Sequence, residues 1–311
     1  MSTVVFVLVP GVHILDLAGP SQVFSFANDF GYEYQQRYVG ERAEVPTAQG
    51  LTLTATTTWP VLSASDLVVV PGWRALSTFG DDVRVGAKFL TELRAHHEHG
   101  GVVASVCAGA EMLGRAGLLD GRRCTTHHNL QDDLARKYPH ATVIRDVLFT
   151  VDDRIVTSAG IASGIDLALH LVATRHGPAV AAKIARAMVI YARRNGDEQQ
   201  SSAMLRHRSH LSDVVHRVQD VIDARFDSTL RLADLANQSG VSERTLTRLF
   251  AEAIGTTPLR YQQLLRLERA EHLIGHGSTV EAAARAVGFE DARMLRRLRA
   301  RELSVRSAAS A

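Results

Sequence analysis

Short apolar runs alternate with helix-like segments over roughly the first 190 residues. The runs are TVVFVLV, DLVVVPG, GVVASV and DRIVTSAG. Continuous apolar runs of this length are typical of strands that are buried on both faces of a parallel sheet. The segments between them, FGDDVRVGAKFLTELRAHHEHG and GIASGIDLALHLVATRHG, have helical spacing and end at glycine. This pattern predicts an α/β domain with helices on both faces of a parallel sheet.

The pattern changes near residue 193, where apolar residues become scarce and Gly, Ser and Gln cluster. Such a composition is typical of a linker. Farther on, no strand pattern remains, and Val214, Val218 and Ile222 share one face of a helix. We therefore predict an α/β domain, a linker and an all-α domain, over residues 1–192, 193–210 and 211–311.

Composition narrows the class of protein. Hydrophobic residues make up 46% of the chain and charged residues 22%, which excludes wholesale disorder. No apolar run approaches the ~18 residues that a membrane helix needs, and the N-terminal segment resembles a strand more than a signal peptide. Two cysteines, Cys107 and Cys124, are too few for a disulfide framework. We expect a cytoplasmic protein that does not contact a membrane.

Motifs that hold common cofactors are absent from the sequence. It contains no CxxC pair, no Walker loop and no GxGxxG after a strand, which argues against a zinc ribbon, a P-loop enzyme and a Rossmann dehydrogenase. His96, His97 and His99 lie near a predicted helix end without a clear cysteine or carboxylate companion. We interpret them as a solvated helix terminus and not as a metal site. Neither a cofactor nor a metal is expected.

The positive charge is concentrated near the C-terminus. The net charge of +2 is small, but residues 212–311 carry 15 Arg and no Lys. Seven of these Arg fall within residues 285–311. The planar guanidinium can donate two parallel hydrogen bonds to a phosphate or to a guanine edge. Composition alone leaves open a solvated helix face or a surface that binds nucleic acid.

The segment LADLANQSGVSERTLTRLF, residues 232–250, predicts a helix-turn-helix motif. A small residue, Ala236, allows close helix packing, and Gly240 permits a positive φ in the tight turn. Ser242 is a natural N-cap for the second helix. Leu246, Leu249 and Phe250 then face inward. The side chains left outward, which we expect to contact DNA together with Ser242, are Glu243, Arg244, Thr247 and Arg248.

The same spacing recurs 48 residues later, where Ala284 and Gly288 match Ala236 and Gly240. Phe289 and Met294 are predicted to face inward. The side chains left outward are Glu290, Asp291, Arg293, Arg296 and Arg297, and we expect the Glu and the three Arg to contact DNA. The alternative is a bundle of ordinary antiparallel helices. Two recognition helices on one connector could instead enter successive major grooves, about 10 base pairs apart.

The last hundred residues resemble the AraC/XylS family of transcriptional regulators. The residues that match its pattern are Ala236, Gly240, Phe250, Gly255, Pro258, Tyr261, Arg266, Ala270, Ala284, Gly288 and Phe289. The resemblance implies that double-stranded DNA is the partner of this domain and that RNA polymerase is a further possible partner.

The run GVVASVCAGAEMLG predicts a strand, a sharp turn at Cys107 and a helix, the arrangement of a nucleophile elbow. A helix N-terminus lowers the pKa of a thiol. Glu111 lies one helical turn later, and its negative charge would raise that pKa. Asp16 at a strand end and His127 after another strand are further candidates for the same site.

These residues look like the ThiJ/PfpI superfamily, which has the glutamine amidotransferase-like fold. The matching motifs are Asp16-Leu-Ala-Gly-Pro20, Pro71-Gly72, Cys107-Ala-Gly109, Thr125-Thr126-His127 and Ser158-Ala-Gly-Ile-Ala-Ser-Gly-Ile-Asp166. The resemblance implies a flavodoxin-like domain, often dimeric. It also implies a Cys107 nucleophile with Asp16 as its carboxylate partner, and an oxyanion hole of backbone N–H groups near Gly72 and Ala108.

Other details favour a binding pocket over catalysis. Protease-like members of the superfamily have a His where this chain has Ala108, and Trp73 replaces the usual second glycine of the Pro-Gly motif. We therefore predict a non-catalytic ligand pocket lined by Asp16, Gly72, Cys107, Ala108, Glu111 and His127. Its two carboxylates favour a cationic or amine-bearing metabolite, unless either one pairs with a nearby Arg.

Together the two halves resemble the GlxA-like subgroup of regulators. The sequence predicts a sequence-specific transcriptional regulator, a homodimer whose α/β domain binds a small-molecule effector. Three alternatives remain open. The α/β domain could be a cysteine-dependent hydratase or amidase with a helical tail, or it could sense redox state through the Cys107 thiol. The chain could also be a structural DNA-binding protein that binds no ligand.

The C-terminal end departs from the AraC/XylS pattern. Arg299, Ser304, Ser307 and Ser310 stand where the family has an aromatic residue, Gly, Pro and Tyr. Losing a core aromatic and a helix-stop glycine should loosen the last helix. We therefore predict fast amide hydrogen exchange across residues 290–303 in the DNA-free chain, measured by mass spectrometry with residues 242–250 as the internal reference. Slow exchange in this segment would contradict the prediction.

Overall fold

The apolar runs of the first half lie side by side as strands of one sheet. The strands along the chain are β1 (Ser2–Leu8), β2 (Tyr34–Gly40), β3 (Glu44–Pro46), β4 (Thr52–Thr54), β5 (Leu67–Val70), β6 (Val102–Val106), β7 (Arg123–Cys124), β8 (Thr142–Val143), β9 (Phe149–Asp152) and β10 (Ile155–Ser158). Six of them form the central sheet, in the order β2-β1-β5-β6-β10-β9. The pairs β3-β4 and β7-β8 form two small sheets.

The central sheet is parallel except at one edge. The pairs β1-β2, β1-β5, β5-β6 and β6-β10 are all parallel. Strand β9 runs antiparallel to β10 because Asp153 and Arg154 alone connect them, which is too short for a crossover. The predicted parallel sheet is confirmed, with an antiparallel strand added at its edge.

Helices cover both faces of this sheet, as the sequence pattern predicts. They are α1 (Ile14–Asp29), α2 (Ala87–Glu98), α3 (Gly109–Arg115), α4 (Gln131–Lys137), α5 (Ser163–His176) and α6 (Pro178–Ala187). Helices α1, α5 and α6 share an apolar cluster with one face, and α2, α3 and α4 share a second cluster with the other. Strand β1 contributes to both, since Val4 and Phe6 enter the first cluster while Val5 and Val7 enter the second.

The last hundred residues form helices, and none of their described residues lies in a strand. The helices are α7 (Asp213–Ala224), α8 (Leu232–Gln238), α9 (Glu243–Ile254), α10 (Pro258–Gly275), α11 (Val280–Ala286) and α12 (Ala292–Ala309). Two apolar clusters hold them together, one around α7 to α9 and one around α11 and α12. Helix α10 contributes to both clusters, Tyr261 and Leu265 to the first and Leu267 and Ala270 to the second.

The computed structural model describes residues 2–74, 86–190, 195–197, 200, 207–208, 210–275 and 277–309, with residues 302–309 described by their backbone alone. Contacts divide the chain into two units, Met1–Gln200 and Ser201–Ala311. Much of the predicted linker, 193–210, lies outside the described residues. Within the described part of the chain, no helix has the length and apolar character to cross a bilayer.

Candidate small-molecule pocket and candidate nucleic-acid interface

The predicted pocket residues meet at one edge of the central sheet. Asp16 follows β1, Gly72 follows β5 and Cys107 follows β6, and these strands are adjacent and parallel. Parallel strands bring their carboxyl ends to the same edge, where ligands bind in open α/β sheets. The fourth neighbouring strand, β10, brings Gly160 to this edge as well.

Cys107 lies in the sharp turn between β6 and α3. Its φ is 56°, in the left-handed region that a residue with a side chain rarely adopts. Two hydrogen bonds hold this turn. The Cys107 N–H donates to the Ser158 carbonyl at 3.0 Å, and the Thr126 hydroxyl donates to the Cys107 carbonyl at 2.7 Å. The elbow geometry that the sequence predicts is therefore present, and the strain is offset by both neighbouring segments.

Two glycines allow the backbone to approach Cys107 closely. A Cβ added at Gly72 would lie 2.5 Å from Asp16 Oδ2 and 2.7 Å from the Cys107 Cβ. A Cβ added at Gly160 would lie 2.2 Å from the Cys107 Cβ and 2.9 Å from its Sγ. Either side chain would clash with the thiol or its neighbours. Ala108, which is fully buried, places its backbone N 2.9 Å from the same Gly72 position.

Asp16 is fully buried in the first turn of α1. Its Oδ1 accepts a 2.6 Å hydrogen bond from the N–H of Ile161, a residue of the Ser158–Asp166 motif that was not among the predicted pocket residues. Its Oδ2 faces Gly72 and has no hydrogen-bond partner among the described residues. Burial raises the pKa of Asp16 to about 6, against the lowering effects of the Ile161 N–H and of the nearby Cys107 thiol and Gly72 N–H.

The Cys107 thiol does not have the lowered pKa that an elbow suggests. Burial raises its pKa well above the usual range, and the negative charge of Asp16 raises it further. Desolvation of a side chain that is 6% exposed outweighs the dipole of the seven-residue helix α3. The thiol is therefore protonated at neutral pH.

Glu111 forms ion pairs with two cationic side chains. Its Oε1 lies 3.0 Å from Arg115 Nε and 3.5 Å from Lys137 Nζ, and its side chain is buried. The alternative that a carboxylate pairs with a nearby Arg is thus realised for Glu111. Asp16, and not Glu111, is the acidic group that acts on the Cys107 thiol.

His127 begins the short 3-10 turn His128–Leu130, and its Nδ1 accepts the Asn129 N–H at 3.3 Å. The His127 and His128 rings are tilted against each other, 4.1 Å apart. Burial lowers the pKa of His127 to about 4, and the charges of His128 and His13 contribute. His127 is therefore a neutral imidazole at physiological pH. His13, which precedes α1, is a neighbour that the sequence pattern did not indicate.

The interpretation of the histidine cluster as a solvated helix terminus is wrong for two of its members. His96 and His97 are both buried, and burial lowers the pKa of each. His96 Nε2 lies 3.2 Å from the Asp66 carbonyl, and His97 Nε2 lies 3.2 Å from Arg122 Nη2. Both rings thus pack inside the α/β unit. In the described ranges, no group of three or more His, Cys, Asp or Glu could hold a metal ion.

The first helix-turn-helix motif has the predicted local geometry. Gly240 adopts a φ of 70° in the turn, and the Ser242 hydroxyl accepts the Thr245 N–H at 3.2 Å. Leu246 and Phe250 are fully buried. The predicted outward residues Ser242, Glu243, Arg244 and Arg248 are exposed and Thr247 is half-buried.

The second motif has the same turn but a different helix face. Gly288 has a φ of 81°, as the repeat predicts. Met294, predicted to face inward, is 41% exposed, whereas Leu295 is fully buried one position later. The predicted DNA-facing residues Glu290, Arg293, Arg296 and Arg297 are all exposed.

An ion pair ties the last helix to α10. Arg299 Nε lies 2.7 Å from Glu271 Oε1, and both side chains are partly exposed. Arg299 stands where the related family has an aromatic residue, so a surface ion pair takes the place of an apolar contact. Such pairs typically stabilise by about 0–1 kcal/mol, less than a buried aromatic side chain.

Comparisons with known proteins assign the two halves to known domains. The model of the DJ-1/PfpI family matches residues 2–174, and a helix-turn-helix domain matches residues 235–306. The HTH-type transcriptional regulator CdhR of Pseudomonas aeruginosa is 28% identical to this chain, over 92% of the chain and 84% of the relative.

Two further relatives cover less of the chain. The isonitrile hydratase of Pseudomonas putida is 33% identical over 53% of this chain and 68% of the relative. The crystal structure of an AraC family transcriptional regulator from Pseudomonas putida superposes with a TM-score of 0.51 at 25% identity, over 60% of this chain and 100% of that chain. The predicted fold class is confirmed by this likeness.

Replacing Asp16 by Asn should stabilise the α/β unit at alkaline pH. The pKa of Asp16 is about 6 in the folded chain against a usual 3.8, so over this interval the folded state binds a proton that the unfolded state does not. Folding stability therefore falls as the pH rises through 6. At about 1.4 kcal/mol per pKa unit, we expect Asp16→Asn to raise the free energy of unfolding by about 1–3 kcal/mol at pH 8.

The measurement is urea unfolding of the full chain at several pH values, monitored through a spectroscopic signal that comes from the α/β unit. Asp29→Asn, at the exposed end of the same helix, is the matched control and should change nothing. The gain in stability from Asp16→Asn should disappear below about pH 4, where Asp16 of the parent chain is protonated in both the folded and the unfolded state. A gain that does not depend on pH would refute the assignment of a raised pKa.

Proposed function

The chain belongs to the DJ-1/PfpI family and joins that domain to an AraC-type helix-turn-helix domain, which makes it a DNA-binding transcriptional regulator, and on this premise we propose that its α/β unit is a non-catalytic sensor of a small molecule. The observation that carries the proposal is a buried carboxylate oxygen, Asp16 Oδ2, that accepts no hydrogen bond of good geometry from the described residues and lies beside the buried thiol of Cys107. Burial raises the pKa of this thiol, so the thiol is protonated at neutral pH. A thiol in this state supports binding and not nucleophilic attack, because the thiolate is the nucleophile.

We propose that nine outward side chains contact the duplex. They are Ser242, Glu243, Arg244, Thr247 and Arg248 on the first motif and Glu290, Arg293, Arg296 and Arg297 on the second. Arg248 pairs with Glu252 at 2.8 Å, but both side chains are more than half exposed. An exposed pair of this kind is weak, so the guanidinium can exchange Glu252 for a phosphate or a base edge.

The effector that we propose for this site donates a hydrogen bond from an amine or ammonium group to Asp16. Glu111 already forms ion pairs through its Oε1 with Arg115 and Lys137. Among the described residues Asp16 has no such cationic partner, so we propose that the cation of the ligand pairs with Asp16. A bound ammonium group would stabilise the ionised form of Asp16 and lower its pKa. We further propose that Gly72, Ala108 and the neutral His127 line the site.

The assembly that we propose is a homodimer acting in the cytoplasm, with RNA polymerase as a second partner on DNA. The resemblance to dimeric family members and to helix-turn-helix regulators supports it. An effector that binds one arrangement of the chain better than another would shift the population toward that arrangement.

Replacing Arg244 or Arg248 by Ala should weaken specific DNA binding. A side chain that contacts a base edge contributes about 1–3 kcal/mol, so we expect each variant to lose about 5–150-fold in affinity. Fluorescence anisotropy with the chain's own promoter region, at fixed salt, measures the loss. Arg217→Ala is the matched control, because it removes the same charge from an exposed position on α7. Unchanged affinity in both test variants would remove α9 from the interface.

A second candidate function is suggested by one relative, the isonitrile hydratase, because Cys107 sits in an elbow beside a carboxylate. A cysteine nucleophile attacks as its thiolate. The raised pKa of Cys107 argues against this activity in the resting chain.

Alkylation distinguishes the two functions. We expect Cys107 in the native chain to react with iodoacetamide at pH 8 at least about 100-fold more slowly than a free cysteine, because burial suppresses both the thiolate and access to it. Peptide mapping by mass spectrometry separates Cys107 from the buried Cys124, and the urea-unfolded chain supplies the rate of the accessible thiols. Fast alkylation of native Cys107, or hydratase turnover that is lost in Cys107→Ser, would favour the enzyme.

A further inference from the structure

The helical unit has two separate apolar clusters. Each helix-turn-helix motif packs into its own cluster, and the single helix α10 runs through both. Two clusters joined by one helix do not by themselves set the angle between the motifs, because apolar contact is not directional. Phe226, in the segment after α7, is partly buried against both clusters. We call the region where the two clusters meet the joint. The contacts at the joint therefore decide how the two recognition helices are oriented.

One guanidinium, that of Arg266 on α10, spans the joint. Its Nε donates to the Phe226 carbonyl at 2.6 Å and its Nη2 donates to the Ser228 carbonyl at 2.7 Å. Its Nη1 donates to the Gly288 carbonyl at 2.8 Å. Phe226 and Ser228 lie in the segment between α7 and α8, and Gly288 lies in the turn of the second motif. Arg266 thus connects the first motif's side of the joint to the second motif's turn.

The backbones at this joint are in direct contact. A Cβ added at Gly288 would lie 1.7 Å from the Asp227 carbonyl oxygen, so no side chain fits between the turn and the segment after α7. Gln262, one turn before Arg266 on α10, donates to the same two carbonyls, Phe226 at 2.8 Å and Ser228 at 2.7 Å. The Phe226 and Ser228 carbonyls therefore accept two bonds each, which uses both lone pairs of each oxygen.

The chemistry of arginine suits this position. Its planar fork presents donors in fixed directions, so three carbonyls on two segments determine one orientation of the group and of both segments. The Phe289 ring lies 5.5 Å from the Arg266 Cζ, within the range of a cation–π contact. A lysine ammonium keeps the charge but lacks the fixed fork, so it cannot satisfy all three carbonyls in the same geometry.

We propose that Arg266 is a positioning residue that sets the distance and angle between the recognition helices α9 and α12, and thereby the spacing of the two DNA boxes that one chain contacts. This inference rests on the proposed contact of both motifs with DNA. Two helices that enter successive major grooves must match the helical repeat of the duplex, about 34 Å per turn. A joint that rotates freely would spread the separation of the helices and lose this match.

The first test measures the joint without DNA. Nitroxide labels are attached to cysteines that replace Arg248 and Arg297. Double electron–electron resonance then gives the distance distribution between α9 and α12 in the full chain. The parental chain, treated in the same way, reports any label on the buried Cys107 and Cys124. We expect a narrow distribution that broadens in Arg266→Lys and in Arg266→Gln. Arg269→Lys, at an exposed position on the same helix, is the matched control and should leave it narrow.

The second test uses promoter fragments in which the separation of the two boxes is changed by one base pair. We expect the parent chain to lose at least about tenfold in affinity when the spacing changes, and Arg266→Lys to bind all spacings within about threefold of one another while its affinity for the first box alone is unchanged. The conservative Arg269→Lys should keep the spacing preference of the parent.

Different failures have different meanings. A distance distribution that stays narrow in both Arg266 variants overturns the positioning role. The role is also overturned if an Arg266 variant loses affinity equally on every promoter fragment and has a lower melting temperature, because a purely structural role predicts that result. Absence of specific DNA binding by the parent chain overturns the proposed function, while the label distances still report whether Arg266 orients the two helices.

Discussion

The α/β unit depends on a close approach of four backbone segments at the carboxyl ends of adjacent parallel strands. Cys107 adopts a left-handed conformation there, and Gly72 and Gly160 come so near that a methyl group at either would overlap it. Asp16 closes the same site through its hydrogen bond to Ile161. The parallel order of β1, β5, β6 and β10 makes this meeting possible, because residues that are far apart in sequence emerge at one edge.

The same close packing decides the chemistry of the site. Removing water from Asp16 and Cys107 raises the pKa of both, so the thiol is neutral at neutral pH and a larger fraction of Asp16 is protonated than it would be at the surface. Cys107 lies just before helix α3, and the Ala108 N–H lowers the pKa of its thiol, but burial outweighs this effect. A cysteine and a carboxylate are both present at this edge of the sheet, so burial, and not the identity of the residues, keeps the thiol neutral.

The helical unit uses a different principle. Each helix-turn-helix motif has a small apolar cluster, and polar contacts to backbone carbonyls join the two. Hydrogen bonds are directional, so a guanidinium between two segments can orient them more closely than apolar packing can. Gly288 contributes to the turn of the second motif and to the contact between the two clusters. Its positive φ allows the turn, and its lack of a side chain lets the turn contact Asp227.

Periodicity and local turn chemistry determined much of this protein from the sequence. The apolar runs predicted the buried parallel strands, the glycine spacing predicted both tight turns, and Ser242 predicted its own cap, because each of these depends on residues that are near one another in the chain. Tertiary structure alone decided the burial of His96, the pairing of Glu111 with Lys137 and the raised pKa of Cys107. It also placed Leu295 inside and left Met294 exposed, since both are apolar and the rotation of a helix is set by what packs against it. Desolvation and long-range contacts come from segments that are distant in sequence, so no local pattern of residues encodes them.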